Sequence, residues 1–153
     1  MDGESPAHVL VVAHKTAATP ALLDAIRERA ARGPCWFHLL VPAPAPGGWH
    51  HPHGEREGER ILERAIPLME EAARRPVDGS VSVRHDPMDA IEEALVSEAF
   101  DEIILSTLPR SVSRWLHVDL PHRVAHLGLP VTTVVARERA AVAGEELVSP
   151  MGA

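Results

Sequence analysis

The chain contains no tyrosine, only two phenylalanines and three tryptophans, one cysteine and a single lysine, Lys15. With so few rings, the core has to be built from Val, Leu, Ile and Ala. One cysteine rules out an internal disulfide. Cys35 opens an apolar run, where a buried and unreactive thiol is the ordinary outcome. Positive charge is also in short supply: 15 Lys and Arg against 22 Asp and Glu leave a formal charge of −7. That balance opposes a general nucleic-acid binder, which gains affinity by releasing counterions from phosphates onto a basic face. No apolar stretch reaches the roughly 18 residues that a membrane span requires. Residues 1–6 carry neither a basic flank nor a hydrophobic run, so no signal peptide is read there and a cytoplasmic protein is expected.

What is present is an alternation of short apolar runs and amphipathic segments. At 153 residues, a chain of this length folds as about one domain and buries roughly two-thirds of its unfolded surface. Residues 8–13 form a nearly continuous apolar run, as suits a strand covered on both faces. Thr19 and Pro20 read as the cap and first position of a helix whose apolar face is Leu22, Leu23, Ile26 and Ala30. Residues 35–41 are a second strand. Residues 42–48, rich in Pro and Gly, and the histidine-bearing residues 49–54 read as a mobile surface loop. Ile61, Leu62, Ala65, Leu68, Met69 and Ala72 recur at helical spacing, with Pro67 inside and expected to kink the helix.

Residues 77–84 alternate as a third strand with one face less buried. Asp86 then caps a helix with Pro87 at its first position and Ile91, Ala94 and Leu95 on its apolar face. Residues 101–106 give a fourth strand, residues 112–127 a helical stretch interrupted at Pro121, and residues 131–135 a fifth strand. Residues 137–153 lose periodicity and read as a frayed tail after a single domain over residues 1–136. Strands alternating with helices imply parallel pairing through right-handed crossovers, hence a doubly wound α/β sheet.

Three segments together resemble the universal stress protein family. They are the opening strand with its turn and helix, the strand-to-helix turn at Val83-Arg84-His85-Asp86-Pro87-Met88-Asp89, and Phe100-Asp101-Glu102-Ile103-Ile104-Leu105-Ser106. The last is followed at matching distance by Leu129-Pro130-Val131-Thr132-Thr133-Val134-Val135, similar to the family's closing strand. The resemblance covers residues 8–136. It implies a Rossmann-like fold of the adenine nucleotide alpha hydrolase type, with five parallel strands in the order 3-2-1-4-5 and helices on both faces. It also implies a homodimer formed through the last strand.

Ligands of such sheets bind beyond the carboxyl ends of strands where the order reverses. Here the loops meeting there are residues 14–19 and 106–113. Nucleotide-binding family members carry Gly-x-x-Gly, nine residues, then Gly followed by Ser or Thr, so that backbone N–H groups approach phosphate. On that spacing the glycines become Ser106, Pro109 and Asp119, and the Ser/Thr becomes Leu120. Pro109 removes a donor. Asp119, read as a capping carboxylate at a helix start, would satisfy N–H groups itself and repel phosphate. The family's adenine-contacting aspartate is replaced by His14.

Polar groups nevertheless gather there: His14, Lys15, Thr16, Ser106, Thr107, Arg110, Ser111, Ser113, Arg114 and Asp119. They are the candidate ligand site, able to meet a small anion through hydroxyls and forked guanidinium donors. The structural alternative is that Arg114 pairs with Asp119 or another acid while Trp115 and Leu116 pack inward. No metal is expected. His50, His51 and His53 crowd one loop without a partnering cysteine, and His122 and His126, four apart, lack the acidic partner of a metalloprotease helix. No Gly-x-Ser-x-Gly elbow or triad order is present, so catalysis is not expected. The reading is a regulatory or binding module without a cofactor; the alternative is an ATP or AMP binder with a rewritten phosphate loop and slow hydrolysis.

Overall fold

A computed structural model describes residues 5–43 and 54–137. Its first strand is the centre of the architecture: β1 (Ala7–Val12) has no solvent exposure from Val9 to Val12. It pairs in parallel with β2 (Cys35–Val41) on one side and with β4 (Glu102–Thr107) on the other. β3 (Val77–Val81) and β5 (Val131–Val135) form the two edges, giving the order β3-β2-β1-β4-β5, all parallel. The expected sheet order is the observed one. The histidine-bearing loop at residues 49–53 and the tail from residue 138 lie outside the described residues.

Because successive strand side chains point to opposite faces, the sheet builds two cores. Val9 and Val11 share one face with Phe37, Leu39, Val41 and Ile104. That face meets α1 (Pro20–Ala31) through Leu22 and Ile26, and α2 (Gly54–Ala73) through Ala65 and Met69. The intervening residues Leu10, Val12, Leu40, Ile103 and Leu105 face the other way. They meet Ile91 of α3 (Pro87–Ser97) and Leu120 and Val124 of α5 (Leu120–Ala125). Fully burying each large aliphatic chain contributes roughly 1.5–3 kcal/mol. Two such layers around β1 account for a core with so few aromatic rings. The half-buried Arg29 to Glu102 ion pair, 3.0 Å, ties α1 to β4.

Local signals set the helix starts. The Thr19 hydroxyl accepts the Leu22 N–H at 3.4 Å, and the Asp86 carboxylate accepts the Met88 N–H at 2.8 Å, each followed by proline in the first turn. α2 runs unbroken through Pro67 and lies close over β3. A Cβ on Gly79 would come within 2.8 Å of both the Leu62 and Ile66 side-chain ends, so glycine permits that approach. Gly128 carries φ +90° in the turn that leads to β5.

Two expectations are corrected. The third strand ends at Val81 instead of residue 84, because the Ser82 hydroxyl takes the Arg84 N–H at 3.0 Å and turns the chain locally. The helical stretch over residues 112–127 is two short helices, α4 (Arg114–His117) and α5, and the break falls at Asp119, not at Pro121. Asp119 is left-handed, φ 58° and ψ 40°, which ends one helix and redirects the chain. Pro121 sits in the first turn of α5, where a missing N–H is harmless.

Removing the cap carboxylate by Asp86→Ala is expected to lower the unfolding free energy by about 1 kcal/mol. Urea denaturation measures it, and an unchanged midpoint would show that the cap contributes nothing.

Candidate functional site

β1 and β4 lie side by side and their following loops diverge, which makes their carboxyl ends the switch point of the sheet. The loop after β1 folds on itself: the Ala17 N–H donates to the His14 carbonyl at 3.4 Å, and the Thr19 hydroxyl donates to the Thr16 carbonyl at 3.0 Å. This turn presents the Thr16 hydroxyl to β4. Thr16 and Ser106 meet hydroxyl to hydroxyl at 2.6 Å, both almost fully buried. The two loops are therefore tied by a side-chain bond at the place where a glycine of the family motif would leave open backbone. Thr107 points to the opposite face, toward the α3 and α5 layer, where its buried hydroxyl has no hydrogen-bond partner among the described residues.

The segment after β4 is a turn closed by the Val112 N–H on the Pro109 carbonyl, 2.9 Å. Ser113 follows as the cap of α4; its buried hydroxyl accepts the Leu116 N–H at 3.1 Å, so it serves the helix. Lys15, Arg110, Ser111 and Arg114 are exposed. Trp115 packs against the α3 and α5 layer, as expected, but the Arg114 to Asp119 pair is not formed among the described residues. Arg123 instead lies 3.8 Å from Asp86.

Asp119 does not act as a side-chain cap: its carboxylate makes no capping hydrogen bond to α5. With backbone in the left-handed region, the residue is turned away from the extended geometry in which a cap side chain reaches the next turn. The positive φ has a further meaning. It falls at the position where the sequence spacing placed a family glycine, and Asp is among the few other residues that tolerate it. Leu120 is fully buried in the core and Pro121 has no N–H, so α5, only six residues long, offers few donors at its start.

His14 closes the site on the α2 side. Its side chain is 13% exposed, and its buried Nε2 has no hydrogen-bond partner among the described residues. Glu57 Oε1 lies 4.0 Å away, too far for a hydrogen bond. Burial pushes the imidazole below its ordinary value; Glu57 opposes that shift and Lys15 adds to it.

Among the described residues no group of three His, Cys, Asp or Glu side chains could hold a metal ion. His122 and His126 bond to one another through Nε2, 3.0 Å apart, on the exposed side of α5. Sequence reasoning missed a cleft of about 260 Å3 at the other end of the sheet, lined by His8, Trp36, His38, Asp78, Glu98 and Phe100 among others. The signal was present as alternation: Trp36 and His38 interleave with Phe37 and Leu39, and Asp78 and Ser80 with Val77 and Gly79.

No protein-family model matches the chain, and no curated protein matches it in sequence. Solved structures do match. A member of the universal stress protein family from Burkholderia pseudomallei superposes with a TM-score of 0.62 at 17% identity, covering 87% of this chain and 98% of that one. The chain has the universal stress protein fold. The Archaeoglobus fulgidus universal stress protein in complex with dAMP gives 0.57 at 16% identity, covering 85% and 98%. A universal stress protein in complex with cAMP gives 0.59 at 17% identity, covering 88% and 100%. Within this fold, the Thr16 to Ser106 contact joins the two loops at the switch point.

Because the His14 imidazole is depressed, the unfolded chain takes up this proton first on acidification. The stability it contributes is intact above about pH 6.5 and is lost as pH falls through that value. Urea midpoints of the wild type should therefore drop more steeply below that pH than those of His14→Gln. Equal slopes would show that His14 is not held as a buried neutral ring.

Proposed function

We propose that the chain is a universal stress protein-like binding or regulatory module, not an enzyme, that does not hold ATP in the standard mode of that family. The observation that carries this reading is the start of α5. There the chain presents the Asp119 carboxylate, a buried Leu120 and the N–H-less Pro121, where a phosphate would need donors. Three further features support it. Ser106 is occupied by Thr16, Pro109 lacks a donor, and His14 stands where an adenine-contacting carboxylate is expected. A carboxylate facing a triphosphate adds like-charge repulsion. These residues disfavour an adenine nucleotide held in the standard mode of the family. The nucleotide complexes of the two neighbours keep the alternative in view: ATP or AMP bound through Arg110 and Arg114, which remain exposed beside the loop.

Isothermal titration with ATP, AMP and cyclic AMP, with mass spectrometry of the purified protein for carried-over nucleotide, separates the two readings. No saturable heat at sub-millimolar concentration is expected, and no co-purifying nucleotide. Micromolar affinity for any of the three would overturn the proposal.

The same module is proposed to pair with a second copy through β5. Among the described residues that strand is bonded to β4 on one side only; it is rich in β-branched residues and has Thr132, Thr133 and Val135 exposed. An open edge of this kind invites strand pairing. Val135→Lys leaves the core untouched and is expected to delay size-exclusion elution toward the monomer. A wild type that is monomeric at high concentration would contradict the pairing.

A further inference from the structure

The faces of a parallel sheet are usually covered on both sides, and here one corner is not. On the α3 face, Leu10, Leu40 and Ile103 are packed beneath helices, but Trp36 at the amino end of β2 is 47% exposed. Around it the strands present His8, His38 and Asp78, and the chain leaving α3 adds Glu98 and Phe100, enclosing the cleft of about 260 Å3. This corner lies at the amino ends of the strands, at the opposite end of the sheet from the switch point.

The charge in this cleft is one-sided. Asp78 and Glu98 bring carboxylates, and no lysine or arginine is among the described residues that line it. The histidines are engaged with the protein. His38 Nε2 bonds the Ser80 hydroxyl at 2.8 Å and its ring stands 6.0 Å from that of Phe100. His8 donates its backbone N–H to Asp101 at 2.7 Å, and its ring nitrogen Nδ1 lies 3.8 Å from Glu98. What remains is an exposed indole flanked by acidic groups. An anion would meet two exposed carboxylates, of which only Glu98 has a ring nitrogen, that of His8, beside it. A cation gains from both, since an indole face attracts positive charge through its quadrupole.

We propose that this cleft binds a small organic cation, of the alkylammonium or guanidinium class, against Trp36 and between Asp78 and Glu98. Its volume suits a group of that size and is smaller than an ordinary drug-sized pocket of roughly 300 Å3 or more. The site uses none of the switch-point loops, so it stands or falls separately from the nucleotide reading.

Proton–nitrogen NMR spectra of the full chain test it, because the three tryptophans give three indole signals and Trp36→Phe identifies the one that matters. Tetramethylammonium chloride and methylguanidinium chloride are titrated against sodium chloride at matched ionic strength. The Trp36 indole signal is expected to move saturably with both organic cations and not with sodium, while the Trp115 signal stays in place. Asp78→Asn combined with Glu98→Gln should weaken the apparent affinity tenfold or more, and the rest of the same spectrum reports whether that variant is folded. If it is not, each single change carries the test with a severalfold weakening. A Trp36 signal that follows ionic strength alone, or equal affinity in the carboxamide variants, would overturn the proposal. So would an arginine-containing peptide that binds where methylguanidinium does not, since the occupant would then be a protein partner.

Discussion

Everything in this molecule depends on β1 being buried on both of its faces and paired on both of its edges. Four consecutive residues, Val9 to Val12, have no solvent exposure, and they send side chains alternately into two separate cores. Such a strand cannot sit at a sheet edge, and as the first strand it has only one sequence neighbour, β2, so a later strand must pair with its other side. β2 takes one side and β4 the other, which forces the chain to reverse its winding between them. The switch point follows from that reversal. The polar residues gathered there are a consequence of how the core is built before they are evidence of any ligand.

What the chain does with that position differs from what the fold allows. An open crevice needs backbone that a ligand can approach. Here Thr16 and Ser106 spend their hydroxyls on each other in a buried contact, and Leu120 turns its side chain into the α3 layer. Asp119 keeps a backbone conformation suited to glycine yet puts a carboxylate on it. These changes are mutually consistent: each removes a donor or adds a charge of the wrong sign for phosphate. Among the described residues two buried polar atoms lack a partner: His14 Nε2 and, on the far face of β4, the Thr107 hydroxyl. A buried hydroxyl left unpaired costs about 1–3 kcal/mol.

Much of this was readable from residue order. The apolar run at β1, the Thr19-Pro20 and Asp86-Pro87 helix starts and the β-α alternation gave a parallel sheet, because each rests on local chemistry that the tertiary structure reinforced. The strand order came instead from the family resemblance. The segment after β4 was misread for the opposite reason. Its hydrophobic spacing fits one helix, and nothing in the residue names announces that Asp119 adopts a left-handed conformation. The pairing of Arg123 with Asp86, and not of Asp119 with Arg114, joins residues far apart in the chain, which spacing cannot supply. The amino-end cleft was missed because Trp36 and His38 sit within a run that is otherwise core, and only their alternation with Phe37 and Leu39 sets them apart.

The central claim is that the switch-point loops are closed to nucleotide phosphate by their own residues. Mapping backbone amide shifts from residues 106–123 during an ATP titration, with sodium phosphate as the control, tests it at the site itself. The account predicts that these amides move no further with ATP than with phosphate at equal ionic strength. Saturable shifts centred on Thr107, Arg110 and Leu120 with ATP alone would contradict it.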